Sequence, residues 1–459
     1  MGTTEERIAE FVADVERDEI PDAAMKAAHR SVFDAVGCML AAAARSEPQA
    51  AVRFAAGEGG LGPAGIVGTD VRTSRSMAAL ANGTLAHWLD YDDGRTAAGH
   101  AAAVLTPAAL AVGEPAAVSG DELLAAYAIA LEVVTHLSDA CTYEEKTAGF
   151  HRTSLFGAVG ATVLAARLAR LDAARTQTAL GIIGSMTSGV CQNFGTYTKP
   201  LHAGLAARSA VSAVALAEDR WTASPDILAG PVGWAAAHLP HFDYGAMARD
   251  LGIHWRTAKT WPLIKAYPCC GASHGPLDAL LSLRAEHGFT LDDVESVDVQ
   301  AQYDSMVMMV RRPRSGFEGK FSLLYTLATA LVDGRVDVDS FTDERLARPE
   351  YERAAARIHI HVSTRWETTA GNGSDHSRVK PGDRLPVVIR LRDGRTLTRA
   401  AERIEGLRTA EEVRDKFTDN ARRVLSPPAA EHATNVWSRL DEVDDVGKAV
   451  RSARPGDRS

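Results

Sequence analysis

Asp90, Asp92, Asp93 and His100 crowd one stretch, Asn82–Val104 (NGTLAHWLDYDDGRTAAGHAAAV). Carboxylates beside an imidazole, next to apolar helix, hold it in one tautomer and raise its basicity. That is what a proton-transfer group needs; a helix cap and a surface ion pair would use the same residues. His151, in Gly149-Phe-His-Arg-Thr153, opens a glycine-bearing helical stretch, where backbone N–H groups favour an anion. Lys199, in Thr198-Lys-Pro-Leu-His202, precedes another such stretch, so an ammonium and a helix N-terminus could share one carboxylate. Lys265, Cys270 and His274 lie together in Lys265-Ala-Tyr-Pro-Cys-Cys-Gly-Ala-Ser-His274. The cysteines there equally suit small buried side chains. Tyr325, in Lys320-Phe-Ser-Leu-Leu-Tyr325, could donate to a developing oxyanion or carry a proton, or serve as a core tyrosine with an ordinary hydrogen bond.

Other patterns point away from cofactors. Gly57-Glu-Gly-Gly-Leu-Gly62 spells G-x-G-x-x-G, but it follows a helical stretch and opens no helix, so it reads as a glycine loop. His359-Ile-His361 puts two imidazoles on one face of a strand with no third ligand nearby; the solvated face of a half-buried sheet explains it better than a metal. The five cysteines, Cys38, Cys141, Cys191, Cys269 and Cys270, form neither a disulfide framework nor a spaced cluster-binding set. A reducing compartment, the cytoplasm, is expected. No metal and no organic cofactor are expected.

The elements that position these residues follow from composition. A chain of 459 residues exceeds one ordinary core, and its alanine richness with only 6% aromatics favours closely packed helices. A net charge of -9 argues against a nucleic-acid partner. The opening segment lacks the basic and apolar regions of a signal peptide, and no apolar run is long enough to span a membrane. Up to about residue 261 the pattern is helical. Thr3 or Thr4 caps the first helix, and Ser119–Glu122 forms a capping box before a stretch apolar nearly all round. Helices are expected at 155–171 and 201–218, with Gly157, Gly160 and Gly204 where helices approach closely or a ligand meets backbone. After Pro262 the texture alternates. Strands are expected at 294–302 and 356–363, and a hairpin over 385–400 turns at Asp393-Gly394, with helices at 274–286 and 321–333. Residues 368–383 read as a polar loop. The chain turns helical again from Glu411, and the last nine residues should fray. The expectation is a mainly α protein: a large all-helical domain (1–261, completed by 401–459) with a smaller inserted α+β domain (262–400).

Taken in order, NGTLAHWLDYDD, the later Gly-His, GFHRTSLFG, TKPLHAGLAA, KAYPCCGASH and KFSLLYTLATAL resemble the MmgE/PrpD family, over nearly the whole chain. The resemblance implies the same two domains with the α+β part as a lid, a homodimer, and a cofactor-free active site between the domains. It implies a small polycarboxylate substrate and a lyase reaction, dehydration or decarboxylation, begun by proton abstraction alpha to a carboxylate. Epimerisation of an iminodisuccinate-like dicarboxylate is the alternative, as is a non-catalytic polycarboxylate-binding protein. His100, His151, Tyr325, Asp90 and Cys270 take catalytic positions by the resemblance, and Lys199, Lys265 and His274 bind substrate. The sequence departs from the family pattern at Gly94, where a threonine is usual. His100 is followed by Ala-Ala rather than Pro-Ser, and Cys270 stands where the decarboxylases carry a histidine.

Overall fold

The computed structural model describes residues 3–94, 99–141, 149–239, 242–259, 262–302, 310–363, 385–401 and 406–456; the polar stretch 368–383 lies outside them. In chain order the first elements are α1 (Thr4–Asp14), α2 (Asp22–Ala43), α3 (Gln49–Gly59), β1 (Ala64–Gly65), β2 (Arg72–Thr73), α4 (Arg75–Trp88), α5 (Ala102–Ala116) and α6 (Gly120–Asp139). There follow α7 (Arg152–Leu168), α8 (Ala173–Gly184), α9 (Thr198–Glu218), α10 (Trp234–His238) and α11 (Tyr244–Met247). Next come α12 (His274–His287), β3 (Val294–Gln302), α13 (Gly316–Gly319), α14 (Leu323–Asp333), α15 (Asp343–Leu346), α16 (Pro349–Ala355), β4 (Ile358–Ser363), β5 (Leu385–Leu391) and β6 (Thr396–Ala401). The return is α17 (Ala410–Ala421), α18 (Pro427–Trp437) and α19 (Val446–Ser452). The fold is mainly α with an α+β part.

Two compact units emerge. The first is Met1–Asn193, Tyr197–Ile264 and Leu407–Ser459; the second is Phe194–Thr196 and Lys265–Gly406. The main crossings between the units lie at 264/265 and 406/407, a few residues from the expected 261/262 and 400/401. Besides the short Phe194–Thr196 segment, the chain leaves the first unit after Ile264 and re-enters it at Leu407, and these two residues form an antiparallel bridge, with Leu407 N donating to Ile264 O at 2.8 Å.

In the first unit α6 is the buried centre. Ser119 and Glu122 close the expected capping box at its start. Its Leu123, Ile129, Val133, Val134 and Leu137 are at most 1% exposed. Burying each such side chain contributes roughly 1.5–3 kcal/mol. Small residues let neighbouring helices close in. A Cβ on Gly157 of α7 would stand 2.8 Å from Val104 of α5, and one on Gly160 would collide with Val134 of α6. A Cβ on Gly83 of α4 would lie 2.7 Å from Gly204 Cα of α9, and one on Gly204 would run into the Leu80 carbonyl. The glycines the sequence singles out therefore serve helix contact. The chain end departs from expectation: α19 extends to Ser452, and buried Ala453 accepts from Gly68 N at 3.0 Å, so fraying cannot begin before that anchor. Of the expected glycine loop Gly57–Gly62, Gly57–Gly59 instead form the last turn of α3 and Gly60–Gly62 follow it, where a Cβ on Gly62 would strike Thr73 of β2.

In the second unit the sheet order is β4-β3-β5-β6, with β3 and β4 parallel and the other pairs antiparallel. Val297, Val299, Val387 and Ile389 are buried on one face. The hairpin turns at Asp393-Gly394, where Gly394 takes φ 91°. His359 and His361 are exposed, and His361 Nε2 contacts Asp298 Oδ1 of β3 at 2.7 Å. Asp298 also pairs with Arg390, so this is an ion-pair ladder on the solvated face. Among the described residues no helix is long and apolar enough to cross a membrane.

Candidate active site

In the first unit α4, α7 and α9 and the loops around them gather four imidazoles. α4 and α9 meet at the Gly83–Gly204 contact; His87 is on the last turn of α4, and Lys199 and His202 are on the first turns of α9. Gly99, at φ 74°, brings its loop against the start of α7. A Cβ there would be 2.7 Å from Thr153 Oγ1, and that hydroxyl accepts from His100 N at 3.0 Å. His151 is the N-cap residue of α7 and is held by its N–H to Gly189 O at 3.0 Å. His87 lies between two of the others: ring centres are 4.7 Å from His100 and 5.6 Å from His151, and His151 is 5.4 Å from His202.

Asp92 sits between His87 and His100. Its Oδ2 is 2.9 Å from His87 Nδ1 and 3.3 Å from His100 Nδ1. Burial pushes the Asp92 carboxyl up, but His87 and His100 more than offset that and hold it well below the ordinary value. His100 Nδ1 also lies 2.6 Å from the Asp93 carbonyl. A carbonyl only accepts, so Nδ1 carries the proton and Nε2 carries the lone pair. The same distance bears on metal binding. His87, Asp92 and His100 bring ligand atoms within 4.8 Å of one another. A protonated His100 Nδ1 has no lone pair for a cation, so the grouping reads as a carboxylate between two imidazoles.

The other three imidazoles are buried and neutral. Burial, followed by smaller effects that include the charge of Lys199, pushes His87 down to about 4 and holds His151 well below its ordinary value. His202 falls to about 4 for the same two causes. His151 and His202 share a hydrogen bond through their Nδ1 atoms at 3.2 Å, so one donates and the other accepts. His100 alone reaches outward, its side chain 16% exposed against 0% for His87 and Asp92.

Asp90 follows the α4 C-cap in the left-handed conformation, φ 51°, where glycine or asparagine is usual. Its carboxylate forms a buried ion pair with Lys199. Lys199 was expected just outside a helix N-terminus; α9 instead begins at Thr198, so the lysine sits inside its first turn. Asp93 Oδ1 accepts from Ala102 N at 3.0 Å and steadies the start of α5. The structure thus joins Asp90, His100, His151 and Lys199 in one cluster. Sequence reasoning missed His87 and His202. Their signals were the spacing H-x-x-D-x-D-D over 87–93 and the Lys199/His202 helical i, i+3 spacing.

The remaining four candidates belong to the second unit. Lys265 is 2% exposed. Cys270, 7% exposed, precedes a short 3-10 turn, and its N–H donates to Lys320 O at 2.9 Å. His274 opens α12 with Nε2 3.2 Å from Cys269 O. Tyr325 donates its hydroxyl to Ser340 O at 2.7 Å, and burial pushes its phenol far up, an arrangement that suits a structural tyrosine better than a proton carrier. All five cysteines are free thiols.

The first unit thus buries carboxylate-supported imidazoles beside a lysine ion pair. Residues 6–246 match the MmgE/PrpD N-terminal domain and residues 267–442 the MmgE/PrpD C-terminal domain. The chain belongs to the MmgE/PrpD family. It is similar to cis-aconitate decarboxylase of Mus musculus, 26% identical over 83% of this chain and 79% of the relative. It is similar to cis-aconitate decarboxylase of Aspergillus terreus, 23% identical over 97% and 94%. The cis-aconitate decarboxylase-like protein oryM of Aspergillus oryzae is 22% identical over 98% and 97%.

Proposed function

We propose that this protein is a lyase acting on a small di- or tricarboxylic acid, with His100 moving the proton on the carbon next to a carboxylate. The observation that carries the reading is the fixed tautomer of His100. Its Nδ1–H is held by the Asp93 carbonyl at 2.6 Å with ionised Asp92 at 3.3 Å, leaving Nε2 as a base on the one imidazole of the cluster that reaches solvent. A proton alpha to a carboxylate is a poor acid, because its loss piles charge onto an enolate; fixed cations and donors must absorb that charge. Lys199 is the cation at hand, and a substrate carboxylate would share it with Asp90. When Nε2 takes the proton, Asp92 stabilises the imidazolium that forms. From the enolate, expelling hydroxide from the neighbouring carbon completes a dehydration. For a decarboxylation His100 enters as the imidazolium: the bond to the departing CO2 breaks, its electron pair stays on the substrate as the enolate, and the Nε2 proton is delivered to carbon. The names of the relatives favour decarboxylation. Neither step calls for a redox or group-carrying cofactor.

The test is incubation with citrate-, aconitate- and aspartate-like acids, followed by proton NMR and trapping of CO2. Released CO2 assigns a decarboxylase, and an unsaturated acid formed without CO2 assigns a dehydratase. Inversion alone would make the protein an epimerase, and binding with no chemical change would make it a polycarboxylate receptor; either outcome overturns the lyase reading.

A further inference from the structure

The peptide between Asp90 and Asp92 is gripped from the far end of the chain. Lys416 of α17 donates its ammonium to the Tyr91 carbonyl at 2.6 Å and lies 3.7 Å from the centre of the Tyr91 ring. The same ammonium is 2.7 Å from Asp34 Oδ1 of α2, and the two side chains are only 3% and 1% exposed. Tyr91 is 325 residues from Lys416 in sequence, so the grip is tertiary.

Stability alone is a weak reason for such a pair. Removing two charges from water costs about as much as their attraction returns, and apolar replacement of both partners is often neutral or favourable. The contact has a local use instead. Asp90 occupies a left-handed conformation that disfavours most side chains, and such strain persists only where surrounding structure over-determines it. On either side of Tyr91 the chain sends Asp90 to Lys199 and Asp92 to His87 and His100. A backbone free to relax at Tyr91 would turn both carboxylates away.

We propose that Lys416, oriented by Asp34, is a positioning residue that fixes the Asp90–Asp92 backbone and through it the carboxylates of the active site. The proposal rests on the reading that these carboxylates belong to the catalytic site. It assigns Lys416 no contact with substrate.

The test pairs Lys416→Met with Asp34→Leu, so that no lone charge is left buried. The expected result is a melting temperature close to that of the unaltered protein, a kcat lower by about a hundredfold, as for a catalytic group displaced by about 1 Å, and altered imidazole NMR signals of His87 and His100. Those signals report the Nδ1–H groups facing Asp92 and need no substrate. Full kcat with unchanged imidazole signals would make the pair a purely structural one and overturn the proposal. If the double variant does not fold, Lys416→Arg keeps the charge and moves the donor; kcat must then fall with melting unchanged, or the proposal is wrong. If the unaltered protein turns over no acid, the proposed function fails, and the imidazole spectra still decide the positioning role.

Discussion

Replacing Asp92 with asparagine keeps the shape of the side chain and removes its charge from between two imidazoles. At 3.3 Å and an effective dielectric constant of about 20, the attraction between Asp92 and a protonated His100 is on the order of 5 kcal/mol before desolvation. The net worth of a hydrogen bond to a charged group is smaller, about 1.5–3 kcal/mol. At about 1.4 kcal/mol per decade, losing it slows proton transfer by roughly 10- to 150-fold. The assay is turnover of the best acid from the panel between pH 5 and 9, with circular dichroism to verify folding. A folded Asp92→Asn protein with kcat within twofold of the original would refute the role given to Asp92, and with it the choice of His100 as the base.

Other expectations follow from the same geometry. Lys199→Met should raise KM and lower kcat together, and should also strand Asp90 as a buried unpaired carboxylate; thermal unfolding will show a loss of about 3 kcal/mol or more. Gly83→Ala puts a methyl 2.7 Å from Gly204 Cα and forces α4 from α9, at a cost of about 1–3 kcal/mol measured by urea unfolding. His87, His151 and His202 are neutral in the fold but protonate freely when unfolded, so unfolding takes up protons and stability falls as pH drops below 6.5. For His87 the span from 6.5 to about 4, at about 1.4 kcal/mol per pH unit, comes to on the order of 3 kcal/mol. Asp92, held below its ordinary value, adds loss only below about pH 4. Urea midpoints that stay level from pH 7 to 4 would contradict this account.

The parts of this fold that were legible in the sequence are those governed by local rules. The Ser119–Glu122 capping box, the nearly all-apolar α6 and the Asp393-Gly394 hairpin each depend on neighbours within a few residues. His100 and His151 stood out because polar groups interrupt alanine-rich stretches. What was hidden depends on long-range partners. Nothing near Lys199 reveals that its ammonium meets Asp90, 109 residues away. His87 resembles any core residue of α4, and only the turn at left-handed Asp90 brings Asp92 back onto it. Lys416 lies in a charged helix, TAEEVRDKFTDNA, whose pattern suggests a solvated face, yet it is the buried member. Tyr325 was placed by motif among the proton carriers, and only the fold shows Ser340 taking its hydroxyl.

The central claim is that His100 Nε2 moves a proton at a carbon next to a carboxylate. Deuterium uptake from D2O into an aconitate- or citrate-like acid, followed by proton NMR, measures that step directly, even when net turnover is slow. The account predicts uptake at one carbon with the unaltered protein and a loss of at least a hundredfold with folded His100→Asn. Equal uptake by the two proteins, or none by either across the panel, would contradict it.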